Sequence, residues 1–236
     1  MELVAAVLSK NPANEYFANF EVSLSEKHGK RECWESYESK FSFLSEPDWQ
    51  LLKAKAVPRF STKDPRRSWQ TAIDVLNEAI AYCYLVAKGC SNVKFVAESN
   101  TQKTPDLQCV ISGHETLCEV KTFNISDEAI SLAGSVQTVS DQLPQNFLDG
   151  KLKNTMSTNV AKFDYIPSAT KVYFFVMNFD DGLHEYADRY FEQIGIWLQS
   201  QKLPVDGLIF LDNSTLWRGE PLVLELPKGL WGKPPT

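Results

Sequence analysis

Apolar positions in the middle of the chain follow two rhythms. Trp69, Ala72, Ile73, Leu76, Ile80, Cys83 and Ala87 recur at three- and four-residue steps, which predicts a helix. Asp64 can cap its start, Pro65 suits its first position, and Gly89 closes it. A second stripe of Val75, Tyr82, Leu85 and Val86 gives the helix two apolar faces, so both should be covered. Glu78 sits within that second stripe.

Short strand-like runs follow at 93–99 (VKFVAES), 105–112 (PDLQCVIS) and 115–123 (ETLCEVKTF). The tight turn Ser112-Gly113-His114 makes the second and third a hairpin. Ser126 can cap a helix with Asp127 and Glu128 in its first turn, continuing through Ala129, Ala133, Val136, Val139 and Leu143 until Pro144. A further helical stretch spans Lys151 to Phe163 through Leu152, Met156 and Val160. KVYFFVMNF at 171–179 is continuously apolar, as expected of a strand buried on both faces. Residues 185–201 are helical in spacing, and VDGLIFL at 205–211 reads as a last central strand. The order α-β-β-β-α-β-α-β implies an α/β fold with a mixed sheet flanked by helices.

Residues 1–60 are less regular and read as an N-terminal extension. FANFEVSL suggests a strand, ESYESKFSFL a second strand or short helix, and Pro47 and Pro58 should break the region. The expected division is an extension at 1–60, a core at 61–212 and a C-terminal tail at 213–236.

Net charge is −6 and the pI about 5.2, which argues against coating nucleic acid through bulk charge. Two segments run the other way. Residues 57–71 hold Arg59, Lys63, Arg66 and Arg67 against Asp64 alone, and residues 150–172 hold Lys151, Lys153, Lys162 and Lys171 against Asp164 alone. Arg66, Arg67, Lys151, Lys153 and Lys162 are therefore the candidate phosphate contacts. Cys33, Cys83, Cys90, Cys109 and Cys118 form no CxxC pair and read as packed thiols. His28, His114 and His184 are scattered and read as surface residues. The N-terminal segment lacks the pattern of a secretory signal, and no run approaches a membrane span, so a cytoplasmic protein with no membrane partner is expected.

The chemistry concentrates in KTPDLQCVISGHETLCEVKTF. Strand alternation puts Glu119 and Lys121 on one face and Val120 on the other. Asp106, at the start of the neighbouring strand, can lie beside Glu119. Two carboxylates can hold a hard divalent cation, which polarises a phosphate and acidifies a bound water. An adjacent ammonium can orient that water or stabilise the charge that develops.

Pro105-Asp106 followed by Glu119-Val120-Lys121 resembles the PD-(D/E)XK nuclease superfamily, which includes restriction endonucleases and Holliday-junction resolvases. The resemblance covers roughly residues 64–212 and extends to an acid on the preceding helix. Glu78, eleven residues before Gly89, fits the resolvase-like placement, and Asp74 is the weaker candidate. The bare pattern is not specific: Glu38-Ser39-Lys40 and Asp149-Gly150-Lys151 also match its second half, and Pro47-Asp48 its first. No QxxxY element follows the lysine.

The resemblance implies a restriction-endonuclease-like core. Asp106, Glu119, the Val120 carbonyl and Glu78 would bind Mg²⁺, with Mn²⁺ as substitute, and Lys121 would be the catalytic lysine. The implied activity is Mg²⁺-dependent endonuclease cleavage of nucleic acid, DNA ahead of RNA, leaving 5′-phosphates. A homodimer would suit cutting of both strands of a duplex. The competing expectation is an inactive module of the same fold that binds nucleic acid or a protein. An unrelated α/β enzyme lacks support, since there is no Gly-rich phosphate loop, nucleophile elbow or Cys–His pairing.

Overall fold

A computed structural model describes residues 2–17, 30–65, 68–97, 99, 101–124, 142–143, 146–178, 186–212, 222–228 and 230. The chain divides into two compact units, Met1–Gly89 with Val93–Phe95, and Cys90–Asn92 with Val96–Thr236.

The first unit is helical. It contains α1 (Glu2–Lys10), α2 (Lys30–Phe41), α3 (Glu46–Ser61) and α4 (Gln70–Ala87). The prolines expected to break this region do not. Pro47 lies in the first turn of α3, where its missing N–H costs nothing, and Pro58 is carried in the last turn. The ESYESKFSFL segment is helical as far as Phe41, whereas most of FANFEVSL lies outside the described residues. Trp34, Phe17 and Phe60 pack edge to face or tilted, with ring centroids 5.2–5.6 Å apart. The Glu38 carboxylate accepts hydrogen bonds from the backbone N–H groups of Glu2 and Leu3 at the start of α1.

Helix α4 ends as expected, with Gly89 at φ 82 and its N–H bonded to the Val86 carbonyl. Its start differs. Asp64 and Ser68 exchange backbone hydrogen bonds at 2.9 and 2.8 Å, Ser68 has φ 54, and the helix begins only at Gln70. Asp64 therefore does not cap it. Both apolar stripes of α4 are largely buried, through Ala72, Val75, Leu76, Ile80, Tyr82, Cys83 and Leu85, while Trp69, Ile73 and Val86 are half-buried and Ala87 is exposed.

A mixed six-stranded sheet runs β1-β2-β3-β4-β5-β6 in chain order: Ser91–Phe95, Leu107–Ile111, His114–Asn124, Thr170–Asn178, Gly207–Asp212 and Val223–Leu226. β2 and β3 pair antiparallel around the turn Ser112-Gly113, whose φ values of 50 and 84 are those of a two-residue hairpin loop. β3, β4 and β5 are parallel, and β6 closes the order antiparallel to β5. β6 comes from the segment expected as a tail.

One face of the sheet in the second unit carries Leu117, Phe123, Tyr173, Phe175, Met177, Leu208 and Phe210. Two covers lie over it. The first is a continuous helical stretch: a π-helical turn (Phe147–Leu152), α5 (Lys153–Asn159) and a 3₁₀ turn (Val160–Tyr165). It contributes Leu148, Leu152, Met156 and Phe163. The second is α6 (Ala187–Gln199), through Phe191, Ile194 and Trp197. The helix expected from Ser126 to Leu143 falls almost wholly outside the described residues.

Candidate active site on the β2–β3 hairpin

Glu119 lies on the covered face of β3, between Leu117 and Lys121. Alternation puts it there, since Leu117 and Phe123 of the same parity belong to the apolar cluster. A carboxylate at such a position is costly unless paired. The residue is fully buried. Its Oε1 meets two ammonium groups, Lys121 from the same strand and Lys162 at 2.6 Å from the 3₁₀ turn. Its Oε2 is buried and has no hydrogen-bond partner among the described residues.

Asp106 precedes β2 and continues its register. With Leu107 opposite Cys118, the next step along the ladder faces Asp106 toward Glu119. Asp106 Oδ2 accepts the Val120 N–H at 2.8 Å, which ties the two motif halves together. Its Oδ1 is 3.7 Å from Lys162 Nζ. One ammonium therefore bridges both acids.

Burial, and then the neighbouring Asp106 charge, push the Glu119 pKa up to about 7, with Lys121 and Lys162 pulling against them. Burial also raises the Tyr173 hydroxyl, which neighbours Glu119 across the strand pair and donates to the Met156 carbonyl at 2.8 Å. The ionised Glu119 side chain thus costs stability. A raised carboxyl pKa means that the folded state holds a proton the unfolded state has released. That cost is absent below about pH 4.5, grows as pH rises, and is complete above about 7. Glu119→Gln should accordingly melt a few degrees above wild type at pH 8 in EDTA, with the gap closing near pH 4.5. Thermal melts at the two pH values check this. Lys121 and Lys162 retain 28% and 22% side-chain exposure, so water can serve them in the variant.

Of the other candidates, Glu78, Asp74 and Lys151 each have a partner within their own unit. Glu78, on α4 of the first unit, pairs with Lys55 at 3.1 Å. Asp74 accepts a hydrogen bond from Gln70. Lys151 is exposed and lies over the Phe123 ring at 5.7 Å, on the site face of β3. Lys153 is exposed on α5. Arg66 and Arg67 lie outside the described residues.

The competing motif matches have structural duties. Asp48 is buried beside the Ser45 cap of α3 and accepts from Ser45 Oγ, Tyr82 Oη and the Phe95 N–H. Glu38 serves the start of α1, and Asp149 accepts the Trp197 indole N–H at 2.9 Å. Among the pattern matches, Asp106, Glu119 and Lys121 alone gather on one hairpin. What the spacing did not announce is Lys162, read from its charge as a phosphate contact and found between the two acids.

Among the described residues, no group of three or more His, Cys, Asp or Glu side chains is placed to hold a metal ion. The two acids on the hairpin are nevertheless compatible with one. The buried, unpartnered Glu119 Oε2 and Asp106 Oδ1, the oxygen that does not take the Val120 N–H, are hard oxygen donors. They suit a cation such as Mg²⁺, which keeps several waters and needs only one or two carboxylates. No helix among the described residues is long and apolar enough to cross a membrane. No family model matches the chain, and comparison with curated proteins and with solved structures finds no significant similarity.

Proposed function

We propose that the second unit is a metal-dependent nuclease domain that hydrolyses phosphodiester bonds, DNA ahead of RNA, with Asp106, Glu119 and Lys121 as its catalytic set. The observation that carries this reading is Glu119. A fully buried carboxylate on an apolar sheet face, with one oxygen unpartnered and a second acid on the adjoining strand, costs stability that packing alone does not justify. The resemblance to PD-(D/E)XK nucleases assigns the same three residues to the same work.

A bound Mg²⁺ or Mn²⁺ would supply Lewis acidity and a water of lowered pKa. Asp106 and Glu119 would hold it, with the Val120 carbonyl as a further ligand. Val120 N–H fixes the rotamer of Asp106, so one acid oxygen is spoken for and the other is directed to the site. Lys121 is positioned by its contact with Glu119. Its charge would orient the attacking water or stabilise the negative charge gathering on phosphate oxygens. Lys151, exposed over Phe123 two positions along the same strand face, would contact backbone phosphate.

The test is cleavage of a panel of labelled single-stranded, duplex and branched DNA and RNA. Wild type and Lys121→Ala are compared in Mg²⁺, Mn²⁺ or EDTA. Metal-dependent cutting by wild type, lost in the variant, is the expected result. A second reading, an inactive module of the same fold, draws on Lys162, whose ammonium pairs with both acids and offsets their charge without metal. No cutting of any substrate together with no metal uptake would favour it.

A further inference from the structure

The position of Lys162 has a consequence for how the acids take up a cation. Its backbone lies in the 3₁₀ turn Val160–Tyr165, pinned from below by Phe163, which is fully buried and packs edge-on against Tyr173 at 5.2 Å. Tyr173 is in turn tied to the Met156 carbonyl. The turn is fixed, while the lysine stem is long and its side chain is 22% exposed. The ammonium touches Glu119 Oε1 at 2.6 Å and stands 3.7 Å from Asp106 Oδ1. Asp106 Oδ2 is committed to Val120 N–H, so Oδ1 is the Asp106 oxygen available to a cation.

We propose that Lys162 is a tethered counter-cation that occupies the place of the divalent metal between Asp106 and Glu119 and must swing away for the metal to bind. This rests on the nuclease reading. Lys162 Nζ touches Glu119 Oε1 and faces Asp106 Oδ1, the oxygens a cation between these acids would also approach; with Lys121 already on Glu119 Oε1, a divalent ion added at contact distance would be strongly repelled while Lys162 stays in place. The protein therefore keeps its paired acids neutralised at rest, which Glu119 needs more than most carboxylates because its Oε2 is buried without a partner. Once displaced, the ammonium remains tethered beside the site, where it can meet a phosphate of a bound strand. Metal uptake alone is then weak, and nucleic acid strengthens it by accepting the displaced charge.

Titration calorimetry with MnCl₂ on the full chain tests this, without reference to cleavage. Wild type is compared with Lys162→Met, Lys162→Gln, Lys162→Arg and Asp106→Asn, each checked for folding by its thermal melt in EDTA. Two neutral variants are used so that one folded protein is in hand if the other fails. The expected result is that Mn²⁺ binds the neutral variants about tenfold or more tightly than wild type. Lys162→Arg should stay near wild type, and Asp106→Asn should lose uptake. Binding by a neutral variant where wild type shows none is the same result in its strongest form. Equal or weaker binding by the folded neutral variants, with wild type taking up metal, overturns the counter-cation and leaves the metal centre standing. No uptake by wild type or by any Lys162 variant overturns both.

Discussion

Asp106→Asn should lose metal-dependent cleavage by about 10³-fold or more while keeping its fold. The isosteric change separates the two jobs of this side chain. Its Oδ2 accepts the Val120 N–H at 2.8 Å, and an amide oxygen can continue to do so. Its charge, directed through Oδ1 toward Lys162 and the shared site, is removed. A neutral amide is a poor ligand for Mg²⁺, so the rate should fall with metal affinity. Asp106→Ala is the less informative variant. It strips the Val120 N–H of its partner, at a cost of about 1–3 kcal/mol if the group stays dry, and an inactive protein could then be a loosened one. Single-turnover rates beside thermal melts in EDTA give the answer. Full activity in Asp106→Asn and in Lys121→Ala would remove the assignment of this hairpin as the active site.

The second large effect concerns the sheet that holds the site. Phe175 is fully buried at the centre of β4, and its ring lies 5.2 Å from Phe123, 5.4 Å from Tyr173 and 4.8 Å from Phe210, close to parallel with each. These rings join β3, β4 and β5 across the covered face. Phe175→Ala should cost about 3–5 kcal/mol and lower the melting temperature by on the order of 10 °C, because the parallel strands on either side cannot close the void. Phe175→Leu, which keeps more of the volume, should lose less. Phe175 also stands opposite Lys121 in the strand register and stacks on Phe123. Surviving Phe175→Ala protein should therefore hold Lys121 less firmly and cut more slowly than its folded fraction accounts for. Urea unfolding with activity normalised to folded protein measures both. A melt unchanged from wild type would show that this stack is not the structural centre of the unit.

Much of the site was legible because it depends on local rules. Alternation along a strand fixes Glu119 and Lys121 to one face, and a two-residue turn brings Asp106 back beside them, so a pattern in the chain becomes a place in space. The strands at 107–111, 114–124, 170–178 and 207–212 follow from runs of apolar residues bounded by turn residues. Lys162 was not legible as a partner of both acids. It reaches them from a 3₁₀ turn whose position is set by Phe163 and Tyr173, a tertiary contact that charge counting does not see. The start of α4 was missed because Asp64 looks like a cap, while its backbone pairs with that of Ser68, which has φ 54, and the helix begins only at Gln70. In the first sixty residues, weak periodicity and two prolines suggested broken structure. The helices there are held by packing of Trp34, Phe17 and Phe60, and by a capping serine before α3, more than by their own propensity.

The two-residue turn at Ser112-Gly113 also limits how this protein can drift. Side chains on a strand change face with each residue, so adding or deleting one residue between Asp106 and Glu119 would either force a bulge or turn Glu119 and Lys121 away together. A change of two restores the parity and only lengthens or shortens the ladder. Relatives that keep the two acids and the lysine together on one face should therefore differ in the length of this hairpin by even numbers. An odd difference should coincide with a bulge, or with replacement of the acids and the lysine.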